Sequence, residues 1–520
     1  MISGTGTRMS TQVHKGIVGF TVMLPTLMVI VDTSVVNVSL DHIRGSLSAG
    51  IDEATWSITM YLAANAIIIP MTGWLSRLFG RKRYLIFSIV LFTISSLFCG
   101  LAWNIQSLVF FRILQGLAGG ALQPISQSIL LETYPPHQHG MAMAVFGIGI
   151  MFGPIIGPVM GGWITDNWAW QWIFYINIPV GIVSILLAFI FVVDPHYLKN
   201  TIHKIDYWGI VFLGVGIGCL QFILDRGRRY DWFSSDLIVW LTLIVVVCLL
   251  VFIVRETMTE HPIVHLTVFK NYSFTMGNIV VFFVLFNLFG SIVLLPIYLQ
   301  TLMGYSATLA GLVLAPGGMA SLVAMPIAAL LIKRINPKVV VVSGVLLTAY
   351  STYLMSLFTR SADFIAVLWP RLFMGIGMGF IMVPLFTLTL SHIRKEEMGN
   401  ATSIFNLARN LGGSFGVAIA TTILTRRAQF HQARLVDHMT PFDLHYQWSA
   451  QQATELLQRQ GLEPALAPTG GLAVLYEKLL NEASMMSFND VFYALAVMIL
   501  CMLPLVVCMQ HIKHSPKDPH

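Results

Sequence analysis

The stretch Gly147–Gly162, G-I-G-I-M-F-G-P-I-I-G-P-V-M-G-G, decides how this chain folds. Within it Gly149, Gly153, Gly157 and Gly161 recur every fourth residue. On a helix that spacing leaves one slowly drifting stripe without side chains, against which a neighbouring helix can lie close. Pro154 and Pro158 share the period. Each removes a backbone hydrogen bond and crowds the preceding turn, so the pair should bend or stiffen the helix at membrane depth.

The surroundings fit a bilayer. Of the 520 residues, 56% are hydrophobic and 10% charged, where a soluble domain carries about 25% charged residues. A net charge of +6 and a pI near 9.0 would suggest nucleic acid as a partner of a soluble protein. Here the basic residues belong to membrane topology, and no nucleic acid is expected. The five cysteines fall in apolar segments without C-x-x-C spacing, so neither a disulfide framework nor a zinc site is expected. His431, His438 and His445 sit seven apart, but Pro441 interrupts any single helix through them, and they read as surface histidines. No G-x-x-x-x-G-K-[ST] occurs and no catalytic constellation stands out. The expectation is therefore a non-enzyme without cofactor or metal, not driven by ATP.

Apolar runs long enough to span a bilayer fall at 16–38, 54–75, 84–103, 106–131, 140–163, 172–193, 207–225, 236–254, 273–300, 307–332, 338–358, 363–390, 400–424 and 490–510. An even number puts both termini on one side. With the ends cytoplasmic, 17 of the 30 lysines and arginines fall in cytoplasmic segments, as the positive-inside rule requires. The runs also repeat. Pro70, Leu75, Arg77 and Lys82 recur as Pro326, Leu331, Lys333 and Lys338, and Arg112 and Gly116 on the fourth run recur as Arg371 and Gly375 on the twelfth. Runs one to six and nine to fourteen are thus duplicated halves, with an inserted pair between them. This divides the chain into an N-terminal bundle (14–195), inserted helices (205–256), five helices of a C-terminal bundle (272–425), a polar outer loop with a helical hairpin broken by Pro441, Pro464, Pro468, Gly470 and Gly471 (426–488), and the last helix (489–511).

Asp32 is the sharpest single residue. It lies well inside the first run, where a charge costs several kcal/mol unless paired, hydrated or protonated. At 1.5 Å per residue it lies roughly 24 Å from the cytoplasmic edge, and Arg112 roughly 9 Å below the outer surface of a core about 30 Å thick. The two depths match, so the pair can meet and carry proton coupling, with a static buried ion pair as the alternative. Two further arginines, Arg371 and Arg409, also lie deep without a deep carboxylate to offset them. Arg371 reads as structural, whereas Arg409 lies near mid-membrane, where substrate sites of such repeats are found. With Asn37, Gln115 and Asn406 these arginines are the candidate cavity residues. Surplus positive charge there should favour neutral or weakly acidic amphipaths over dications.

Several strings resemble a known family. The 147–162 segment looks like the antiporter motif of major facilitator exporters at Gly149, Gly153, Pro154, Gly157, Gly161 and Gly162. G-W-L-S-R-L-F-G-R-K-R from Gly73 resembles the family's cytoplasmic loop motif at Gly73, Gly80, Arg81 and Lys82, although Arg77 stands where aspartate is usual. L-V-F-F-R-I-L-Q-G-L-A-G-G-A resembles its fourth-helix motif at Arg112, Gln115, Gly116 and Gly120. W-A-W-Q-W-I-F-Y-I-N-I-P-V-G from Trp168, read otherwise as an interfacial anchor, is similar to fourteen-helix drug:proton antiporters of the EmrB type, and the resemblance covers almost the whole chain.

The resemblance implies an all-α membrane protein of the major facilitator fold, two six-helix bundles plus two inserted helices. It further implies a proton-coupled multidrug efflux antiporter of the bacterial inner membrane, with hydrophobic or amphipathic small molecules and protons as ligands. A periplasmic membrane-fusion adaptor and an outer-membrane channel would be its partners, with the loop 426–488 as docking surface. The rivals are an exporter dedicated to one metabolite, such as a siderophore or lipid-like molecule, and a channel or non-transporting membrane sensor.

Overall fold

A computed structural model describes residues 6–135, 138–194, 205–259, 262–437, 439–440 and 442–509; within them the side chains of 6–14, 51–52, 154–155, 158 and 307–308 are outside the description. The described residues form α-helices with short 3-10 turns between them. Long apolar runs leave the backbone no partner but itself inside a bilayer, and helices satisfy every N–H and C=O internally. We number the principal helices α1 (Gly6–Val38), α2 (Ile51–Phe79), α3 (Arg81–Gly100), α4 (Ile105–Thr133), α5 (His139–Asn167), α6 (Asn177–Phe191), α7 (Tyr207–Arg226) and α8 (Asp236–Met258). They continue as α9 (Tyr272–Thr301), α10 (Ala307–Leu331), α11 (Pro337–Met355), α12 (Phe364–Leu390), α13 (Met398–Val436), α14 (Leu444–Arg459) and α15 (Ala467–Leu500). Twelve described segments are long and apolar enough to cross a membrane. Helices α5 and α13 pack among them as two further long elements.

Polar residues set the helix starts. Asn104, Asp206, Asn271, Ser306 and Asn336 each accept a backbone N–H of the first turn of α4, α7, α9, α10 and α11. Prolines inside α1, α2, α4, α9, α10 and α12 leave those helices continuous, as membrane helices packed in a bundle tolerate. Helix α5 likewise runs unbroken through the positions of Pro154 and Pro158, whose side chains lie outside the described residues.

Helices α1–α6 pack into one bundle, and α9–α13 with α15 into another. The halves meet through α2 and α4 against α13, and through α5 against α10 and α12. These contacts lie toward the end that carries the basic loop 77–83. There a Cβ on Gly73 would come within 2.8 Å of the Asn400 backbone, and one on Gly140 would collide with Ile332. The inserted α7 lies along both halves. Gln221 donates to Ser414 of α13 (3.0 Å), and Thr59 of α2 donates to Asp225. Helix α8 buries only four residues, Ile238, Val245, Phe252 and Glu256, and presents valines and leucines outward, as a lipid-facing helix does.

The segment read as a polar loop is built differently from expectation. Helix α13 continues past residue 425 to Val436, and α15 starts at Ala467 and runs without a break through the 488/489 boundary. Gly470 and Gly471 do not interrupt α15. A Cβ on Gly471 would meet the Thr454 hydroxyl at 2.7 Å, so these glycines bring α14 close against α15. His431 shares the Asp490 carboxylate with Arg427, both at 2.6 Å. His438 and Pro441 lie outside the described residues.

Candidate functional site

Helix α1 delivers Asp32 into the interior of the first half, where the residue is wholly buried. Arg112 of α4, also wholly buried, donates from Nη1 to Asp32 Oδ2 at 2.6 Å. Gln115, one turn further along α4, donates to Asp32 Oδ1 at 2.9 Å and accepts from Arg112 at 2.8 Å. Asn177, at the start of α6, donates to the same Oδ1 at 2.8 Å and to the Ser96 hydroxyl of α3 at 3.0 Å. The guanidinium is held from behind by the Ser57 carbonyl of α2, 3.2 Å from Nε, and lies over the Tyr61 ring with Cζ 3.9 Å from its centroid. One carboxylate thus gathers donors from α4 and α6, and its guanidinium partner reaches α2. A charge pair this deep persists only when its lone pairs are so satisfied. Adding a proton would cancel the ion pair and turn one acceptor oxygen into a donor, which gives the arrangement a way to feel protonation.

The glycine stripe bears on the same helix. A Cβ on Gly153 would collide with Ile30, one on Gly157 with Ser34, and one on Gly161 would press on Val35 at 3.1 Å, all on α1 around Asp32. Gly149 approaches Met23 of α1 in the same way. Gly162, part of the motif but not of the four-residue series, meets nothing within 4 Å, because it faces another side of α5. Gly147, two residues before the four-residue series begins, faces Met325 of α10 at 2.7 Å. Helix α5 therefore touches the Asp32 helix on one side and the other half on another.

Arg371 occupies the place in α12 that Arg112 has in α4. It is 5% exposed, donates to Met374 Sδ at 3.2 Å, and has no carboxylate partner among the described residues. Arg409 and Asn406 lie on the face of α13 turned to the first half. Arg409 donates to Gln123 of α4, and Asn406 to Gln127 at 2.5 Å. Asn406 and Gln127 are buried, whereas Arg409 and Gln123 are only partly buried. Asn37, proposed for the cavity, stands exposed near the end of α1, apart from the Asp32 network.

The loop motif is closed by acids from its own half. Gly80 takes φ +85°, a conformation that suits glycine, and places the Lys82 N–H on Asp194 Oδ1 at 2.7 Å. The Lys82 ammonium reaches the Phe189 carbonyl at 2.6 Å, and buried Arg81 pairs with Glu132 at the end of α4. Arg77 donates to His265 Nε2 at 2.6 Å. His265 lies between α8 and α9 and exchanges two backbone bonds with the Asn400 side chain of α13, at 3.2 and 2.9 Å. Burial and the nearby Arg77 push the His265 imidazole down to about 4, which keeps it neutral as Arg77's acceptor.

Sequence reasoning missed Asn177, Gln123, Asp194 and His265. Asn177 carried a signal, an amide inside an apolar run, but its tryptophan-rich flank drew the reading of an interfacial anchor. Trp168 and Trp172 are exposed as an anchor requires, whereas Trp170 is buried.

Comparison with known proteins agrees with this architecture. The family model described as Major Facilitator Superfamily matches residues 22–417. The fatty acid resistance protein FarB of Neisseria gonorrhoeae is 35% identical over 96% of both chains. The multidrug export protein EmrB of Escherichia coli K12 is 36% identical over 93% of both. Among solved structures, the human organic anion transporter MFSD10 superposes with a TM-score of 0.59 over 93% of this chain and 99% of its own, at 12% identity, a likeness of fold alone.

Proposed function

Because the chain belongs to the major facilitator superfamily, we propose that it is a proton-coupled antiporter exporting amphipathic drugs across a bacterial inner membrane. The observation that carries this reading is Asp32, a wholly buried carboxylate held by Arg112, Gln115 and Asn177 beside the helix that touches both halves. Protonation of Asp32 would loosen the hold of α1 on α4 and α6. Helix α5, packed on α1 through its glycines, would carry that change to α10. The multidrug export protein among its relatives supports a drug substrate. The name of the fatty acid resistance protein, with Arg409 only partly buried between the halves, supports amphipathic weak acids within that range.

The basic loop 77–83 is assigned to the cytoplasm together with both termini, on the distribution of lysines and arginines. That puts α14 and the long ends of α13 and α15 in the periplasm, where they are the surface offered to a membrane-fusion adaptor leading to an outer-membrane channel. Phe442, Leu444 and Trp448 are 93%, 78% and 70% exposed there, which favours docking. Removing α14 alone leaves α15 whole; adaptor pull-down should then be lost with drug binding intact, and an unchanged pull-down would refute the docking site.

The test of transport uses purified protein in vesicles with an imposed pH gradient. Drug movement should follow the gradient and stop when an ionophore collapses it. Movement indifferent to the gradient would overturn proton coupling and favour a channel.

A further inference from the structure

Along α13 three side chains cross to α4: Thr402 to the Pro124 carbonyl at 3.3 Å, Asn406 to Gln127 at 2.5 Å, and Arg409 to Gln123. The first two are enclosed; the third is only partly buried. Gln123 is a neutral acceptor on a permanent cation. Among the described residues no carboxylate pairs with this cation, and Asp32 is occupied by Arg112, Gln115 and Asn177. An amide oxygen holds a guanidinium less firmly than a carboxylate does, because the charge-assisted bond is roughly twice as strong.

We propose that Gln123 is a specificity-determining residue: it occupies Arg409 when the site is empty and yields it to the carboxylate of an amphipathic acid. The proposal rests on the weak-acid reading of the cavity given above and adds the residue that tunes it. The ligand class is a single carboxylate on an apolar tail. Its carboxylate displaces the Gln123 oxygen from Arg409, and its tail extends away from the enclosed Asn406–Gln127 contact. The exchange removes a hydrogen bond that ties α4 to α13, so binding an acid also frees one link between the halves. A neutral amide of the same length lacks the charge to compete with Gln123, and a dication is repelled by Arg409.

The experiment measures uptake of dodecanoate and of dodecanamide by inverted proteoliposomes carrying wild type, Gln123→Ala, Gln123→Glu or Arg409→Gln. The readout is the ratio of KM for the acid to KM for the amide, which normalises for the amount of folded protein. Gln123→Ala, which removes the competitor, should lower the ratio by up to about tenfold, the scale of one hydrogen bond to a charged group. Gln123→Glu, which neutralises Arg409 from within, should raise it by about tenfold or more. Ratios that move the same way in both variants, or stay within about twofold of wild type, overturn the role of Gln123 while leaving the weak-acid reading standing. A wild type that does not prefer the acid, with a ratio unmoved in Arg409→Gln, overturns that reading and the proposal with it.

Discussion

Arg112 and Arg371 stand four residues before Gly116 and Gly375, whose Cα atoms face the backbone of Tyr61 and Gly317. Those two residues are themselves equivalent, each nine before the repeated prolines Pro70 and Pro326. The close helix crossing is therefore the same in both halves, while the surroundings of the arginine differ. In the first half a tyrosine ring lies against the guanidinium and Asp32 accepts from it. In the second, glycine replaces the ring, a Cβ there would stand 3.4 Å from Arg371 Nε, and the described partner of Arg371 is the sulfur of Met374. A duplicated scaffold has kept its packing contacts in both halves and, among the described residues, its carboxylate–guanidinium pair in one. The crossing depends on small residues and backbone geometry, whereas the buried ion pair depends on a single carboxylate, which α1 supplies.

The largest effect should come from removing that carboxylate. Asp32→Asn keeps size and polarity but cannot titrate, so proton-driven exchange should fall by at least about 10²-fold while equilibrium drug binding survives. Arg371→Gln should remain coupled. If pH-gradient assays show the reverse ranking, the second half holds the coupling site.

The arginines themselves should separate by stability. Arg112→Leu leaves Asp32 buried and unpaired, a loss of about 3–5 kcal/mol, whereas Arg371→Leu strands no acid and should cost clearly less. Thermal unfolding in detergent decides this, and equal losses would mean that Arg371 has an anionic partner after all.

Next in size are the glycines. Leucine at Gly153 or Gly157 must push Ile30 or Ser34 aside, an overpacking of about 1–3 kcal/mol that should slow transport with drug affinity retained. Leucine at Gly162 meets open space and should behave as wild type. Loss of affinity with normal cycling in the Gly153 variant would show that the stripe lines the substrate site instead.

The smallest effect concerns the joint between the halves. His265 is held down to about 4 from an ordinary value of 6.5, so the unfolded chain takes up this proton first as the pH falls. Stability should therefore decline on going from pH 6.5 to 4, and His265→Gln should flatten that part of the profile. An identical decline in the variant would place the titrating group elsewhere.

Much of this was legible in the chain itself. Apolar runs gave the helices, the Pro70/Pro326 and Arg112/Arg371 correspondences gave the duplication, and counting depth from helix ends brought Asp32 level with Arg112, which the structure finds in contact. These readings rest on local periodicity and on the bilayer's fixed thickness, which act along one segment at a time. The glycine spacing likewise announced a close neighbour without naming it.

Partners across the chain were decided only by the tertiary structure. That α1 is the helix against the glycines, that Asn177 completes the Asp32 site 145 positions away, and that Gln123 meets Arg409 follow from how fourteen similar helices are rotated and arranged. An apolar helix in lipid has no strong preference for one orientation, so its rotation is set by its neighbours. The same holds for Gly470 and Gly471: as sequence they read as a break, and only the approach of α14 makes them a contact surface. Likewise Arg77, which in sequence stands in place of an acid, finds a neutral histidine from a linker 188 residues away, because folding places that linker under both halves.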